Sequence, residues 1–287
     1  MNKTIGFIGL GVMGRSMAGH LLAAGHSLRV FTRTQAKAQE LLKRGAVWAE
    51  SPAELARTCG TVFTIVGFPQ DVEEVYLGSE GLIAGLQAGT LLVDMTTSRP
   101  DLAVRIAEAV SAGGGQALDA PVSGGDKGAH EATLSIMVGG APEAFERVRP
   151  LLEVMGKNIV YQGPPGSGQH CKLCNQIAIA ANMIGVCEAI SYARKAGLNP
   201  QTVLQSISSG AAGSWSLSNL TPRILAGDFA PGFFVKHFIK DMAIAVESAD
   251  QLGLDTPGLD LALARYRKLA EEGYGDDGTQ ALYRLYN

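Results

Sequence analysis

Thr4-Ile5-Gly6-Phe7-Ile8 is a short apolar run that leads directly into Gly9, Gly11 and Gly14, spaced G-x-G-x-x-G, with a helical pattern over residues 12–24 behind them. A strand, a glycine turn and a helix in that order constrain the fold more than anything else in the chain. The unit makes a site for the pyrophosphate of a dinucleotide. Gly9 permits the tight turn, Gly11 lets the backbone approach the phosphates, and Gly14 lets the helix pack close to the strand. The helix N-terminus then points its N–H groups and its positive dipole end at the anion. With 36 glycines in 287 residues the bare spacing arises by chance. Its place between strand and helix makes it specific, and Leu10, Val12 and Met13 complete the loop as cofactor-binding residues.

Beyond this unit, strand-like runs recur at 28–32, 62–66, 91–94, 116–120, 134–138 and 158–161. Helical stretches lie between them at 34–44, 52–57, 70–75, 100–112 and 141–155. Such alternation predicts an α/β domain with a doubly wound, mostly parallel sheet covered on both faces. The strands near Leu134 and Asn158 are expected to pair antiparallel at one edge. The texture changes at Gln162-Gly163-Pro164-Pro165-Gly166-Ser167-Gly168. Residues 171–196 then read as one long helix rich in Ala, Ile and Met, and apolar on most faces. Such a helix must be buried against its own domain, a neighbouring subunit, or both. Helices follow at 200–208, 214–225, 234–252, 257–272 and 279–286. The expected organisation is a Rossmann-type domain over 1–162 and an all-α domain over 163–287, joined by the long helix.

Composition excludes several classes. Net charge is −3 with no basic block, which argues against nucleic acid as a partner. No cleavable leader is read at the N-terminus, and no uninterrupted apolar stretch approaches the ~20 residues of a membrane span. The expectation is a cytoplasmic protein without a membrane partner. Cys171 and Cys174 form a C-x-x-C, but no second pair completes a zinc site and no thioredoxin-like context surrounds it. They read as buried small side chains on a packed helix, and no metal site is expected.

The second strand should end beside the adenosine ribose, where an NAD site places an acid. Here Leu28-Arg29-Val30-Phe31 leads into Thr32-Arg33-Thr34 with no carboxylate. Arg33 and Thr34, with Lys37 nearby, would instead hold a 2′-phosphate through charge-assisted hydrogen bonds. NADP is therefore favoured, with NAD as the alternative. Phe68 and Pro69 after the next strand, and Thr97 after the one beyond, stand at strand ends suited to touching the cofactor. Thr97 serves equally well as a turn residue before the helix at Pro100.

Three segments look built for chemistry. In Asp119-Ala120-Pro121-Val122-Ser123-Gly124-Gly125 a strand ends in a serine and two glycines, a cradle for a small carboxylate. In Gly168-Gln169-His170-Cys171-Lys172-Leu173-Cys174-Asn175 a turn leads into a helix carrying Lys172 and Asn175 at i, i+3, on one face. A lysine there would protonate a developing alkoxide, with Asn175 orienting the substrate. Phe233-Phe234-Val235-Lys236-His237-Phe238-Ile239-Lys240-Asp241 sets aromatics at a helix start before a Lys-Asp pair. The plainer readings are a turn, a surface lysine and a solvated charged face.

Taken together, these motifs resemble the β-hydroxyacid dehydrogenase family, which includes 3-hydroxyisobutyrate dehydrogenase, tartronate semialdehyde reductase and the glyoxylate/succinic semialdehyde reductases. The resemblance spans essentially the whole chain. Gly9-Leu10-Gly11-Val12-Met13-Gly14 looks like the family's cofactor loop, and Asp119 to Gly125 like its substrate segment. Gly168 with Lys172 and Asn175 looks like its catalytic segment, and Lys240-Asp241 like its C-terminal K-D motif. The resemblance implies that Lys172 is the acid/base and that Ser123, Gly124, Gly125 and Asn175 hold the substrate. It also implies cofactor contacts from Thr97 and Lys240, support from Asp241 on the substrate side, and homodimer or homotetramer assembly through the long helix. Phe233 is expected beside the substrate. Thr32-Arg33-Thr34 is similar to the NADP-preferring branch, with Thr32 in place of its Asn. Gln176 stands where many members have a second Asn. The implied reaction is hydride transfer between nicotinamide and a small β-hydroxyacid or aldehyde acid. Related imine reductases commonly lack the lysine, and a non-catalytic NADP-binding regulator would not need it. A decarboxylating phosphogluconate-type enzyme fits less well, because no arginine cluster for a phosphate is evident.

Overall fold

The computed structural model describes residues 4–286. The chain divides into two compact units, one ending at Lys172 and one beginning at Leu173.

In the first unit, β1 (Ile5–Ile8), β2 (Leu28–Phe31), β3 (Val47–Trp48), β4 (Thr61–Thr64), β5 (Leu91–Asp94) and β6 (Gln116–Asp119) are parallel, in the order 3-2-1-4-5-6. That is the Rossmann order, with its switch point between β1 and β4. β7 (Val122–Ser123) and β8 (Leu134–Gly140) extend the sheet antiparallel, and β9 (Gly156–Gly163) runs parallel to β8. The expectation for this edge needs correcting: β8 meets β6 and β7 antiparallel, but the strands near Leu134 and Asn158 pair with each other in parallel.

Period-two alternation divides each central strand between two apolar layers. Phe7, Phe63, Leu91 and Val93 face one layer, while Ile8, Val62 and Leu92 face the other. Both faces are buried, so these strands read as near-continuous apolar runs. α1 (Gly14–Ala23), α2 (Gln39–Lys43) and α7 (Pro142–Leu152) supply the first layer. α3 (Pro52–Thr58), α4 (Pro69–Leu77) and α5 (Pro100–Ala112) supply the second.

Several local readings need correcting. Ser123-Gly124-Gly125 is no plain turn: Gly124 caps α6 (Gly125–His130). That short helix carries two glycines and little helical propensity, so it leaves no periodic signal, and the buried Ala129 fixes it from the core. β3 is two residues long and was equally silent. The helix expected over 257–272 is regular only to Leu269, because Gly273 adopts φ 94°.

α8 (Ser167–Lys195) has 29 residues and spans roughly 43 Å. By length and composition it is apolar enough to cross a membrane, which the sequence reading did not anticipate. Its buried stripe, including Leu173, Ala180, Met183, Cys187 and Ile190, instead joins the core of the second unit. That core also takes side chains from α10 (Trp215–Leu225), α11 (Val235–Gln251) and α12 (Pro257–Leu269), while α9 (Pro200–Ile207) packs Leu204 and Ile207 at its margin.

Candidate active site

The three loop glycines meet three different demands. Gly9 sits at φ +91°, and a Cβ there would lie 1.9 Å from the Ile65 carbonyl oxygen. A Cβ on Gly14 would lie 2.0 Å from the Gly9 carbonyl oxygen and 2.9 Å from Ile65 Cγ2. Gly9 is required by its positive φ and by the close approach of the chain after β4, Gly14 by the packing of α1 against the loop. A Cβ on Gly11 would meet nothing within 4 Å, so its lack of a side chain is not demanded by the fold. Val12 is exposed, Met13 half-buried and Leu10 buried. α1 carries no acid in its first turn and no side-chain cap, which leaves its N-terminus open to an anion. This loop fits a dinucleotide pyrophosphate.

At the tip of β2, Arg33 and Thr34 are exposed, and Arg33 Nη1 donates to Asp71 Oδ1 at 2.8 Å. Asp71 Oδ2 accepts from the Phe68 N–H at 3.1 Å, so one carboxylate holds Arg33 and caps α4. Pro69 is the first residue of that helix, and Phe68 stands partly exposed beside it. Asp71 had no signal in sequence beyond its place three residues after Phe68.

After β5 the chain is pinned from several sides. Asp94 Oδ1 accepts from the Thr96 N–H at 3.0 Å, and Thr96 Oγ1 accepts from the Val66 N–H at 3.0 Å. Thr97 is half-buried between the buried Thr96 and Ser98. β6 ends in Asp119, whose carboxylate accepts from the Gly166 and Gln169 N–H groups, both at 2.8 Å. It thereby ties β6 to the start of α8. Burial pushes the Asp119 carboxyl up to about 6, against the lowering effect of those backbone donors. Ser123 is half-buried at the end of β7, where it pairs with Ser135 of β8. Gly124 and Gly125 adopt φ 130° and 63°, so the backbone requires both glycines whatever they bind.

Lys172 is only 6% exposed, on the buried stripe of α8. The surface-lysine reading is thereby excluded. Asn175 is half-buried one turn on. Its Nδ2 donates to Gln176 Oε1 at 2.7 Å, and Gln176 Nε2 donates to Asp241 Oδ2. Asp241 is 2% exposed and pairs with Lys240 Nζ at 2.7 Å, so these two residues are no solvated face. Phe233 packs on Phe238, ring centroids 5.5 Å apart. Gln169 and Gln176 are fully buried, and the sequence reading missed both as working residues. The signal was there: amides on the same helical stripe three residues before and four after Lys172. The cysteine reading needs correcting, since Cys171 is half-buried and Cys174 exposed. The stripe that packs into the core runs through positions 169, 172, 173 and 176, and Cys174 points away from it.

A glycine loop at the switch point of a Rossmann sheet, with a buried lysine on the helix tied to the next strand ends, is the arrangement of a nicotinamide-dependent dehydrogenase. Residues 4–163 match the NAD binding domain of 6-phosphogluconate dehydrogenase. Residues 166–286 match the NAD-binding family of NADP-dependent 3-hydroxyisobutyrate dehydrogenase. An uncharacterized oxidoreductase of Bacillus subtilis is 59% identical over 100% of this chain and 99% of its own. The 2-hydroxy-3-oxopropionate reductase of Escherichia coli is 44% identical over 88% of this chain and 86% of its own. The solved structure of Psf3 in complex with NADP+ and 2-OPP superposes with TM-score 0.92 at 29% identity, covering 99% of this chain and 100% of that one. The chain belongs to the β-hydroxyacid dehydrogenase family. It is an NAD(P)-dependent hydroxyacid dehydrogenase.

Two outcomes test this geometry. Gly11→Ala should leave the urea midpoint unchanged but weaken dinucleotide binding at least tenfold by fluorescence titration. Gly14→Ala should lower stability by about 1–3 kcal/mol, the range for forced overpacking. Equal stability losses in both variants would contradict the assignment. The second outcome concerns pH. A buried acid whose carboxyl titrates near 6, against 3.8 when unfolded, stabilises the fold fully below 3.8 and loses that contribution as pH rises through 6. The stability of the native protein relative to Asp119→Asn should therefore fall between pH 4 and 6, as followed by urea titration at each pH.

Proposed function

We propose that the protein reduces a short aldehyde acid of the glyoxylate, succinic semialdehyde or tartronate semialdehyde type with NADPH, and that Lys172 is the general acid. The alternative direction is oxidation, of 3-hydroxyisobutyrate or a similar hydroxyacid. The burial of Lys172 carries this reading. An ammonium kept out of water is costly, and this one lies on an otherwise mostly apolar helix just after the strand ends. When bound, NADPH supplies the hydride to the carbonyl carbon. Lys172 Nζ gives its proton to the carbonyl oxygen and stabilises charge developing there. Ser123 and the N–H groups of Gly124 and Gly125 hold the substrate carboxylate, and Asn175, its amide oriented by Gln176, holds the substrate near Lys172. Phe233 lines the substrate side, with Asp241 supporting it.

Gly9 to Gly14 take the pyrophosphate, with Phe68, Pro69, Thr97 and Lys240 as further cofactor contacts. Arg33 and Thr34 take the 2′-phosphate. The absence of an acid at 32–34 supports NADP over NAD, and Psf3 was solved with NADP+. Homodimer or homotetramer assembly is supported by the exposed face of α8, where Cys174, Ala178, Ala181 and Gly185 leave room for close approach. Light scattering should give two or four times the 30.0 kDa chain mass, and a monomer at micromolar concentration would refute it.

The test of function is NADPH and NADH oxidation over a panel of short aldehyde acids and cyclic imines, with Lys172→Ala and Arg33→Ala in parallel. One acid should be turned over with NADPH. Lys172→Ala should bind cofactor yet lose about a hundred- to ten-thousand-fold in kcat. Arg33→Ala should raise the KM for NADPH and leave that for NADH unchanged. Turnover of imines alone, or NADP binding without turnover, would replace the acid reading with the imine or regulator alternative.

A further inference from the structure

Gln169 is fully buried in the first turn of α8, and both ends of its side-chain amide are hydrogen-bonded. Its Nε2 donates to the Thr96 carbonyl oxygen at 2.8 Å, and its Oε1 accepts from the Ser98 N–H at 2.9 Å. Its own N–H donates to Asp119 Oδ2 at 2.8 Å. The two side-chain bonds fall on the residues that flank Thr97. The amide therefore grips the backbone on both sides of that one side chain. The same loop is held from below by Asp94 and from the side by Val66. Gln169 also stands three residues before Lys172, one helical turn away on the same stripe.

We propose that Gln169 is a positioning residue for hydride transfer: it sets the Thr97 loop and Lys172 in one frame. The inference rests on the reading that Thr97 meets the cofactor and Lys172 the substrate oxygen. The chemistry of the grip is specific. A carbonyl oxygen and an N–H must be met at once, by a donor and an acceptor on one planar group. Glutamine supplies both, ionised glutamate supplies no donor, and methionine fills the volume with neither. Misplacing either reactant by about 1 Å costs on the order of a hundredfold in rate. A buried amide that fixes both sides thus governs rate more than affinity for the acid.

The test is a double-mutant cycle of Gln169→Met and Thr97→Ala in the full-length protein. It reads kcat, KM for the acid, the dissociation constant of NADP and the urea midpoint. Gln169→Met should lower kcat about ten- to a hundredfold while KM for the acid changes less than threefold. Thr97→Ala should cost tenfold or more alone but less than threefold on the Gln169→Met background, because the loop is already released. The proposal is overturned if Gln169→Met lowers only the urea midpoint, or if the two losses in kcat multiply in full. If Thr97→Ala is silent while Gln169→Met still lowers kcat at constant KM, the cofactor role of Thr97 fails. Positioning by Gln169 then stands through Thr96 and Ser98. Should Gln169→Met not fold, Gln169→Leu serves in the same cycle. It keeps much of the volume and supplies neither a donor nor an acceptor. The same kcat loss is expected, and wild-type kcat in Gln169→Leu would overturn the proposal.

Discussion

Buried backbone groups at the carboxyl ends of parallel strands must find partners once the ladder stops, and the strand-end loops of this protein are shaped by how they find them. The loop after β5 gives its Thr96 N–H to Asp94 and its Thr96 carbonyl to Gln169. The Ser98 N–H also goes to Gln169, and the Val66 N–H after β4 goes to Thr96 Oγ1. Asp119 at the end of β6 takes two N–H groups from the start of α8. An unsatisfied buried donor or acceptor costs about 1–3 kcal/mol, so this lattice is enforced in both directions. It also leaves the side chain of Thr97 half-buried between two pinned neighbours.

The same logic explains the polar residues on α8. A long helix with an apolar stripe would be stabilised most simply by more Leu and Ile. Here the stripe is interrupted by Gln169, Lys172 and Gln176, each buried. The two amides are matched, Gln169 with backbone in the first unit and Gln176 with Asn175 and Asp241 in the second. Satisfied amides on either side keep the helix rotation fixed about the lysine. A one-residue shift in register would turn the stripe by about 100° and break both sets of bonds.

Much of this was legible in the sequence, and the reason is physical. β1, β4 and β5 are buried on both faces, so their apolar runs stand out, and Gly9, Gly11 and Gly14 mark the turn. Lys172 and Asn175 were visible because helical spacing is local. What stayed hidden depends on distance along the chain. Gln169 matters for bonds to residues 71 and 73 positions away, and Gln176 for one 65 positions away. Asp71 matters only because β2 and α4 bring Arg33 to it. Val47–Trp48 and α6 were hidden for a different reason, being too short or too glycine-rich to show a period.

Asp71 serves two masters with one carboxylate, and this links the tip of β2 to the start of α4. One oxygen holds the Arg33 guanidinium and the other the Phe68 N–H. The Arg33 side chain is 81% exposed, so its pairing contributes little to stability and is easily surrendered. An anion that draws the guanidinium away returns the full negative charge of Asp71 to the first turn of α4. The tip of β2 and the first turn of α4 therefore share one negative charge, and a change in the company Arg33 keeps is felt at the Phe68 amide.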